Sequence, residues 1–301
     1  MRHSAGLGPT LVGSMPWVFV LIWSTGFIVA RLAMPHAPPM AFLSWRYAAS
    51  ILAFALWAWA ADAEWPKGRQ AWLHLALVGM FIHAGYLGGV WSAVRAGIPA
   101  GTVALIVGLQ PVLTALWVGW RGNHEVGAVQ WLGLLLGLLG LGLVVWHKVG
   151  LGEVTAFNLA LSLLALASIT IGTLYQKLRV RPCDVRTANC VQIGAAWLVS
   201  LPFIWLETGS MAWGLELYLA LAWSVLALTL GGSSLLLLLI ERGAATQVTS
   251  LLYLVPPCTA LLAWWMFDEP LTWVSVAGMA LCAVAVGLVI RGQRRTSVAS
   301  I

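Results

Sequence analysis

Hydrophobic residues fill ten long stretches of the chain, and the short connections between them contain most of the charged residues. Each stretch has about 20 residues, the length of helix that crosses a hydrocarbon core of roughly 30 Å. The stretches are continuously apolar and lack the alternation of barrel strands, so they are predicted to be helices. The predicted spans are residues 15–34, 39–60, 71–94, 98–120, 127–146, 155–177, 186–206, 214–240, 243–266 and 271–290. The predicted fold class is all-α and integral to the membrane, with ten transmembrane helices.

The composition points to the same class, because 61% of the 301 residues are apolar and only 9% are charged. A soluble domain carries roughly 25% charged residues, so a soluble enzyme, a disordered segment, a coiled coil and a nucleic-acid binder are disfavoured. The net charge of +6 is not gathered on one face of a polar domain, and no nucleic-acid partner is expected. The expected partners are a small-molecule substrate and the lipid bilayer. A homodimer is left open and is not required.

Basic residues are distributed unevenly between the two ends of the predicted helices. Arg95 and Lys148 fall on one side. The twelve on the other side are Arg2, Lys67, Arg69, Arg121, Lys177, Arg179, Arg181, Arg186, Arg242, Arg291, Arg294 and Arg295. Because Lys and Arg are enriched in cytoplasmic connections, both termini are predicted to be cytoplasmic. The first stretch has no small-residue cleavage site and is interpreted as a helix. The predicted location is the inner (plasma) membrane, crossed several times.

An internal repeat relates residues 98–145 to residues 243–290 at an offset of 145, with 14 identities in 48 positions. The most informative matches are Pro111 with Pro256, Trp120 with Trp265 and Gly133 with Gly278. The offset spans five helices, an odd number, so the two halves would lie in opposite orientations. We expect an N-terminal five-helix repeat at 1–150 and a C-terminal one at 151–301, an architecture of secondary transporters that bind substrate between the halves.

Acidic residues all lie at predicted helix ends or in connections. A carboxylate-based proton or sodium site would usually lie at mid-membrane, so that mechanism is disfavoured, as is a hydrolase with paired carboxylates. The chain has no GxxxxGK[ST] sequence and is not itself an ATPase. The four cysteines form no CxxC pair and are interpreted as packing residues. We expect no catalytic residues, no metal and no cofactor.

Polar and aromatic side chains deep inside the spans are the candidate substrate-cavity residues. His83 and Tyr86 share one face of the third span and should face the bundle interior, where they could bind substrate or a neighbouring helix. Arg46 could meet an anionic group such as a carboxylate, or extend towards the interface. Trp23 and Trp197, near mid-span, fit either an aromatic pocket or core packing. The wider lining is Ser24, Thr25, Gln110, Thr170, Gln192, Ser233 and Thr249, whose side chains also hold helices together.

Two prolines and a pattern of small residues concern helix shape and packing. Pro111 and Pro256 fall near the middles of the fourth and ninth spans, where each removes a backbone hydrogen bond and bends its helix. They are candidate hinges at the cavity wall, or kinks that serve packing alone. Small residues spaced by four on the fifth and tenth spans predict close helix packing, within the chain or in a dimer. They are Gly133, Gly137, Gly278 and Cys282.

Several segments are similar to one transporter family. The first span reads LIWSTGFIVARLA, the second contains WRYAAS, the Pro-bearing spans read GTVALIVGLQPVLTAL and QVTSLLYLVPPCTALL, and the last is preceded by DEPLT. These segments resemble the drug/metabolite transporter superfamily, in particular its EamA-type members with ten helices, and the resemblance covers nearly the whole chain. Within the family the amino-acid exporters of the YddG type are the best match to a neutral, aromatic-lined cavity.

The sequence also departs from that superfamily. Its small four-helix members use a Glu in the first helix for proton-coupled cation exchange, whereas this chain has Trp23, Ser24 and Thr25 there. The first-half counterpart of the acidic turn at Glu269 reads RGNHEV, with Glu125 shifted by one position. Proton-coupled cation exchange through a buried acid is therefore not carried over to this chain.

The expected function is that of a secondary transporter, not an enzyme. It would export small metabolites, with amino acids including aromatic ones as the leading class, by alternating access. A broad-specificity drug or metabolite exporter is one alternative. A polytopic membrane enzyme is an alternative of another class, and it would need a nucleophile–base pair or metal ligands near one interface.

Overall fold

A computed structural model describes residues 9–121, 128–232, 235 and 254–298. Within these ranges the protein is helical and contains no β-strand. The helices are α1 (Pro9–Ala33), α2 (Pro39–Ala60), α3 (Arg69–Arg95), α4a (Ala100–Val107), α4b (Gln110–Arg121), α5 (Ala128–Gly150), α6 (Ala156–Arg179), α7 (Val185–Ile204), α8 (Leu215–Gly231), α9 (Val255–Phe267) and α10 (Trp273–Val298). The prediction of an all-helical chain is confirmed for these residues. Helix α2 has the predicted bounds, whereas α1 and α10 extend several residues beyond the predicted spans.

Within the part of the chain that the structure describes, five helices are long and apolar enough to cross a membrane, judged by length and composition. They are α2, α3, residues Trp131–Gly150 of α5, α6 and α7. Shorter apolar helices of 10–17 residues occur in α1, α4, α8, α9 and α10. Many large apolar side chains on the outside of the bundle are exposed, among them Leu139 and Leu198 at 63% each. Such a surface is stable in lipid and not in water.

Helix starts follow from local sequence signals. Helix α2 begins with Pro39 in its first turn, where the missing N–H costs nothing. Helix α6 begins with a reciprocal pair in which the Thr155 and Asn158 side chains accept from each other's main-chain N–H. At the start of α7 the Asp184 carboxylate accepts from the Arg186 N–H at 2.9 Å. These caps satisfy main-chain donors that have no partner inside the helix.

Two helices contain π-helical segments that the hydrophobic pattern did not predict. They are Met80–Leu87 in α3 and Ser224–Gly231 in α8, which lie at nearly the repeat offset from each other. In α8 the Thr229 hydroxyl donates to the Ser224 main-chain oxygen at 2.8 Å, five residues back, which matches the π spacing. Short π segments are uncommon and occur frequently at functional sites. Their recurrence at corresponding positions directs attention to the region between α3 and α8.

The fourth span is interrupted where the sequence predicts a bend. Helix α4a ends at Val107, a turn covers Gly108 and Leu109, and α4b begins at Gln110. Pro111 lies in the first turn of α4b, where no intrahelical donor is required. A Cβ on Gly108 would lie only 2.7 Å from Pro256 Cγ, so the ring of Pro256 packs against the interruption. Pro256 itself lies in the first turn of α9. A hinge role for either proline stays a prediction.

Helices from the two halves of the chain pack in related pairs. Helix α2 packs on α7, α4 on α9 and α5 on α10. Helix α3 packs on α6 and α7, and α8 packs correspondingly on α1 and α2. Helix α4 also contacts α6, and α9 contacts α1. When both helices of a contact are replaced by those five positions along the chain, α3–α6, α3–α7 and α4–α6 become α8–α1, α8–α2 and α9–α1. The contacts α2–α7, α4–α9 and α5–α10 remain the same pairs.

The closest of these pairs is α5 with α10, and it contains the predicted small residues. The Cys282 thiol lies 3.6 Å from the Gly137 main-chain oxygen. A Cβ on Gly140 would lie 2.7 Å from the Gly278 main-chain oxygen, so no larger residue fits there without movement. The small-residue pattern therefore packs one helix of the chain against another helix of the same chain.

Candidate functional site

Arg46 is the one candidate cation that the structure places at the centre of helices α2, α3 and α8 within the described residues. Only 7% of its surface is exposed. Its Nη2 donates to Thr229 Oγ1 at 3.3 Å, and its guanidinium lies 5.9 Å from the centre of the Trp91 ring. Arg46 is about 10 Å along α2 from the first residue of that helix, since the rise is about 1.5 Å per residue. This position is deeper than an interfacial side chain reaches without cost.

Tyr47, the next residue, engages the other π segment. Its hydroxyl donates to the main-chain oxygen of His83 at 2.7 Å, and its ring lies 6.4 Å from the His83 ring in an edge arrangement. Arg46 bonds to Thr229 in the π segment of α8, while Tyr47 bonds to the π segment of α3. Two consecutive residues of α2 thus connect both π segments.

Trp91 provides an aromatic surface beneath the guanidinium. Its ring is stacked on Phe42 with centroids 4.6 Å apart, and only 1% of Trp91 is exposed. Because Phe42 and Arg46 lie one turn apart on α2, the indole is held against this helix. A fixed indole face attracts a cation electrostatically and stabilises Arg46 without supplying a negative charge.

Four of the predicted cavity residues lie together here. His83 and Tyr86 are close enough to Arg46 to interact with it electrostatically, and the Gln192 side chain hydrogen-bonds the His83 imidazole. Tyr86 and Gln192 are both buried. Helices α3 and α7 approach closely because a Cβ on Gly79 would overlap the main chain of Gln192. The sequence singled out these four residues separately, and the packing of α2, α3 and α7 brings them to one place.

The other predicted cavity residues have local or interhelical bonds elsewhere. Within their own helices, Ser24 donates to Val20 O and Thr170 donates to Leu166 O, each at 2.7 Å. Between helices, Gln110 Nε2 donates to Thr173 Oγ1 at 3.0 Å and Trp197 Nε1 donates to Ser44 Oγ at 2.8 Å. Trp23 packs at 5.3 Å on the ring of Phe19. Thr249 and Ser233 lie outside the described residues.

Three residues of the site were missed in the sequence. Tyr47 could have been found from its position beside Arg46 in WRYAAS, and Thr229 from its hydroxyl within an apolar span. Trp91 is one of 19 tryptophans, and nothing in its local sequence distinguishes it from the interfacial ones. Its role depends on the packing of α3 against α2.

Polar bonds join the two halves at the end of the bundle where α1 ends and α2 begins, here called the α1–α2 end. The Glu207 carboxylate accepts from the main-chain N–H groups of Met40 and Ala41 at 2.7 and 3.1 Å. These donors lie in the first turn of α2, where a negative charge is favourable. Nearby, His36 Nε2 lies 2.6 Å from a Glu216 carboxylate oxygen. The Glu207 carboxylate therefore connects the α7–α8 loop to the start of α2.

Glu269 makes a second connection at the same end. Its carboxylate accepts from the Ala100 N–H at 3.2 Å and lies 3.9 Å from Arg31 Nε. Burial raises the pKa of the Glu269 carboxyl above its ordinary value, while the Ala100 N–H and Arg31 oppose the increase. Lys148, buried in the last turn of α5, pairs with Glu153 at 2.7 Å. Arg31, in the last turn of α1, thus has a carboxylate partner in Glu269.

The described residues offer no cluster of three or more His, Cys, Asp or Glu side chains that could hold a metal ion. The four cysteines are free thiols; Cys183 is exposed, Cys190 and Cys282 are buried, and Cys258 is partly buried. The site consists of one cation, neutral polar groups and aromatic rings, an arrangement that can bind a solute and lacks a nucleophile–base pair.

Comparison with known families defines the class of protein. A family model described as the EamA-like transporter family matches residues 15–146 and again residues 157–291. The two matches together cover most of the chain. The chain belongs to the EamA-like transporter family, within the drug/metabolite transporter superfamily. It is accordingly a multi-pass membrane transporter and not an enzyme.

Individual relatives are distant and match almost end to end. An uncharacterized transporter of Synechocystis sp. is 25% identical over 295 residues, covering 89% of this chain and 86% of the relative. The uncharacterized transporter YvbV of Bacillus subtilis is 25% identical over 276 residues, covering 90% and 88%. A protein of Salmonella typhimurium named "Probable amino-acid metabolite efflux pump" is 22% identical over 298 residues, covering 94% and 95%.

A solved crystal structure shares the fold. It superposes with a TM-score of 0.61 and 19% sequence identity, covering 91% of this chain and 95% of the other. At this identity the likeness establishes the arrangement of the helices and carries no information about substrate.

Proposed function

We propose that the protein has ten transmembrane helices arranged as two inverted five-helix repeats, at 1–150 and 151–301, with both termini cytoplasmic. Four observations support this architecture. The family model matches each half once. Contacts made by α3 and α4 with the other half have counterparts made by α8 and α9, five helices along the chain. A π segment occurs in α3 and again in α8. The basic residues favour one side by twelve to two.

The proposed activity is export of small metabolites across the inner membrane, with amino acids, including aromatic ones, as the substrates. The observation that carries it is the group of buried Arg46, Tyr86 and Gln192 with half-buried His83, which combines one cation with neutral hydrogen-bonding groups and an aromatic surface. A zwitterion with an apolar side chain needs such partners. The efflux pump name of the Salmonella relative agrees with this activity.

The proposed mechanism is alternating access, in which the halves move against each other around this group. Arg46 belongs to the N-terminal half and Thr229 to the C-terminal half, so their hydrogen bond lies at the boundary that would move. Opening the α1–α2 end would break the contacts of Glu207 and Glu269 between the halves. Pro111 and Pro256 would permit α4 and α9 to bend during this motion.

Flux into proteoliposomes tests the activity. The full-length protein is reconstituted, and transport of a labelled amino-acid panel is measured with and without a pH gradient. We expect flux of at least one amino acid above that of protein-free vesicles. Amines and cationic drugs are included because the aromatic surface of Trp91 would also suit a broad-specificity exporter. Absence of flux for every amino acid would contradict the proposed substrate class.

A pair of variants locates the cavity. Tyr86→Ala removes a buried ring beside Arg46, whereas Cys190→Ala changes a buried residue of α7 whose thiol lies 3.8 Å from the Ile51 main-chain oxygen. We expect the first variant to reduce transport more than the second at equal expression. Equal transport would place the cavity elsewhere.

The exposed cysteine tests the orientation. Cys183 lies in the connection between α6 and α7, which is predicted to be cytoplasmic. A membrane-impermeant maleimide should label it in inverted vesicles and leave it unlabelled in intact cells. A Cys183→Ser variant identifies the labelled thiol. Labelling of Cys183 in intact cells would reverse the proposed topology.

A further inference from the structure

The charge of Arg46 has no negative partner within the described residues. The five ion pairs found there involve other groups, and the hydrogen bonding of the guanidinium is to Thr229 alone. That single bond, at 3.3 Å, is long for an N–H···O hydrogen bond, and it leaves most of the guanidinium donors unused. A buried guanidinium is normally paired with a carboxylate, a phosphate or several carbonyl groups.

The groups around Arg46 are all electrically neutral near pH 7. They are the hydroxyls of Tyr47, Tyr86 and Thr229, the indole of Trp91, and the imidazole of His83, which is uncharged in its ordinary state at this pH. The described carboxylates lie at helix ends or in connections. No charge of the described part of the chain therefore offsets the positive potential at this point.

Two buried hydroxyls on α2 and α8, the helices that the Arg46–Thr229 bond connects, also lack partners among the described residues. Ser50 lies one turn after Arg46 on the same face of α2, is 1% exposed, and its Oγ has no hydrogen-bond partner. Ser224 Oγ in the π segment of α8 is likewise buried without a partner, and the main-chain oxygen of Ser224 accepts from Thr229. Leaving a buried polar group without a hydrogen bond is unfavourable, so an unused donor one turn from an unpaired cation indicates a missing acceptor.

We propose that Arg46 binds the carboxylate of the transported metabolite, with the Ser50 hydroxyl, one turn further along the same face of α2, as an additional donor to it. This inference rests on the proposed function and adds the part of the substrate that is recognised. A planar guanidinium and a carboxylate form two parallel hydrogen bonds, and the attraction is strengthened where water is excluded. The Trp91 ring, whose centre lies 5.9 Å from the guanidinium carbon, stabilises the charge of Arg46 and competes for none of its N–H donors.

The binding test uses four compounds with the same aromatic ring. L-Phenylalanine and 3-phenylpropionate carry a carboxylate, whereas L-phenylalaninamide and phenethylamine do not. Binding to the purified full-length protein in detergent is measured by calorimetry. We expect the wild type to bind the two carboxylates at least about tenfold more tightly than it binds L-phenylalaninamide and phenethylamine. The reason is that a hydrogen bond to a charged group is worth roughly ten- to a hundredfold in affinity. Equal affinity for acid and amide would overturn the proposal.

Variants then assign the effect to Arg46. Arg46→Gln should remove the preference for carboxylates, and Arg46→Lys should retain part of it because a single ammonium cannot form the paired bonds. Ser50→Ala should weaken binding of the two carboxylates several-fold. Arg179→Gln, at an exposed position in α6, is the matched control. A folded Arg46→Gln variant that still prefers phenylalanine over its amide would contradict the assignment.

The outcomes separate this inference from the proposed function. Flux of amino acids that is unaffected by Arg46→Gln would leave the exporter in place and refute the carboxylate site. Selective carboxylate binding without any flux would support the site and refute export. If Arg46→Gln does not fold, the wild-type comparison of acid with amide and the Arg46→Lys variant decide the question.

Discussion

Gly137 on α5 and Cys282 on α10 are separated by the repeat offset of 145 residues, and they touch, with the Cys282 thiol 3.6 Å from the Gly137 main-chain oxygen. Two neighbouring contacts, Gly137 with Ala285 and Gly140 with Cys282, are related to each other by the same offset. A Cβ on Gly137 would lie 3.4 Å from Ala285 Cβ, and one on Gly140 would lie 3.0 Å from Cys282 Sγ. Such exchange is characteristic of an interface between two-fold-related elements. The α5–α10 contact is therefore a direct point at which to test the packing of the halves.

Gly140→Ala should destabilise the protein. Its new methyl would lie 2.7 Å from the Gly278 main-chain oxygen and 2.9 Å from Leu281 Cβ, so α5 and α10 must separate. Overpacking of this kind costs about 1–3 kcal/mol. The matched control is Gly142→Ala on the same helix, where a Cβ has no neighbour within 4 Å. Thermal unfolding in detergent should show a lower Tm for Gly140→Ala than for Gly142→Ala, and equal values would refute close packing at this point.

Tyr47→Phe should destabilise the π segment of α3. The variant keeps the buried ring and removes the donor to the His83 main-chain oxygen, a loss of about 1 kcal/mol for a typical bond. Tyr218→Phe is the control, because Tyr218 is 56% exposed and its ring packs on Trp213. Hydrogen exchange of peptides covering residues 80–87 should increase in Tyr47→Phe and remain unchanged in Tyr218→Phe. Unchanged exchange in both variants would show that the bond does not hold this segment.

Glu207→Ala should loosen the α1–α2 end. The change removes the carboxylate that accepts from two N–H groups at the start of α2, and caps of this kind contribute about 0.5–2 kcal/mol. Glu216→Ala removes a carboxylate that is 62% exposed and pairs with His36, and should have a smaller effect. Proteolysis of the α7–α8 connection measures the difference. A greater protease sensitivity in Glu216→Ala than in Glu207→Ala would contradict the role given to Glu207.

Glu269 predicts a dependence of stability on pH. Because burial raises the pKa of this carboxyl in the folded protein, the folded state binds a proton more tightly than the unfolded state does. The free energy of unfolding therefore decreases as pH rises from the ordinary Glu value near 4.5 through the raised pKa, and the contribution is constant above it.

Glu269→Gln tests this dependence, since it keeps an acceptor for the Ala100 N–H and cannot ionise. The difference in Tm, variant minus wild type, should increase between pH 4 and the raised pKa. Glu64→Gln, with a side chain that is 83% exposed, is the control and should show a smaller change. A Tm difference for Glu269→Gln that falls with increasing pH would show that Arg31 and the helix N–H groups, and not burial, dominate at Glu269.

The sequence by itself determined the helical fold and the class of the protein. Continuous apolar stretches leave helices as the structure that satisfies the backbone in lipid. The starts of α2, α6 and α7 follow from a proline or a local cap. The transporter family was accessible as well, because its motifs are local. Arg46, His83, Tyr86 and Gln192 could each be singled out, since a polar side chain in an apolar span is conspicuous.

The tertiary structure decided which of these residues meet. The π segments were not predictable, because one additional residue in a helical turn leaves the hydrophobic pattern almost unchanged. Ser24 and Thr170 are also polar residues in apolar spans, but each bonds to its own helix. Trp91 becomes part of the site only through its stacking on Phe42. Local sequence determines where helices form. The environment of Arg46, in contrast, arises from contacts between residues far apart along the chain, as in its bond to Thr229, 183 residues away.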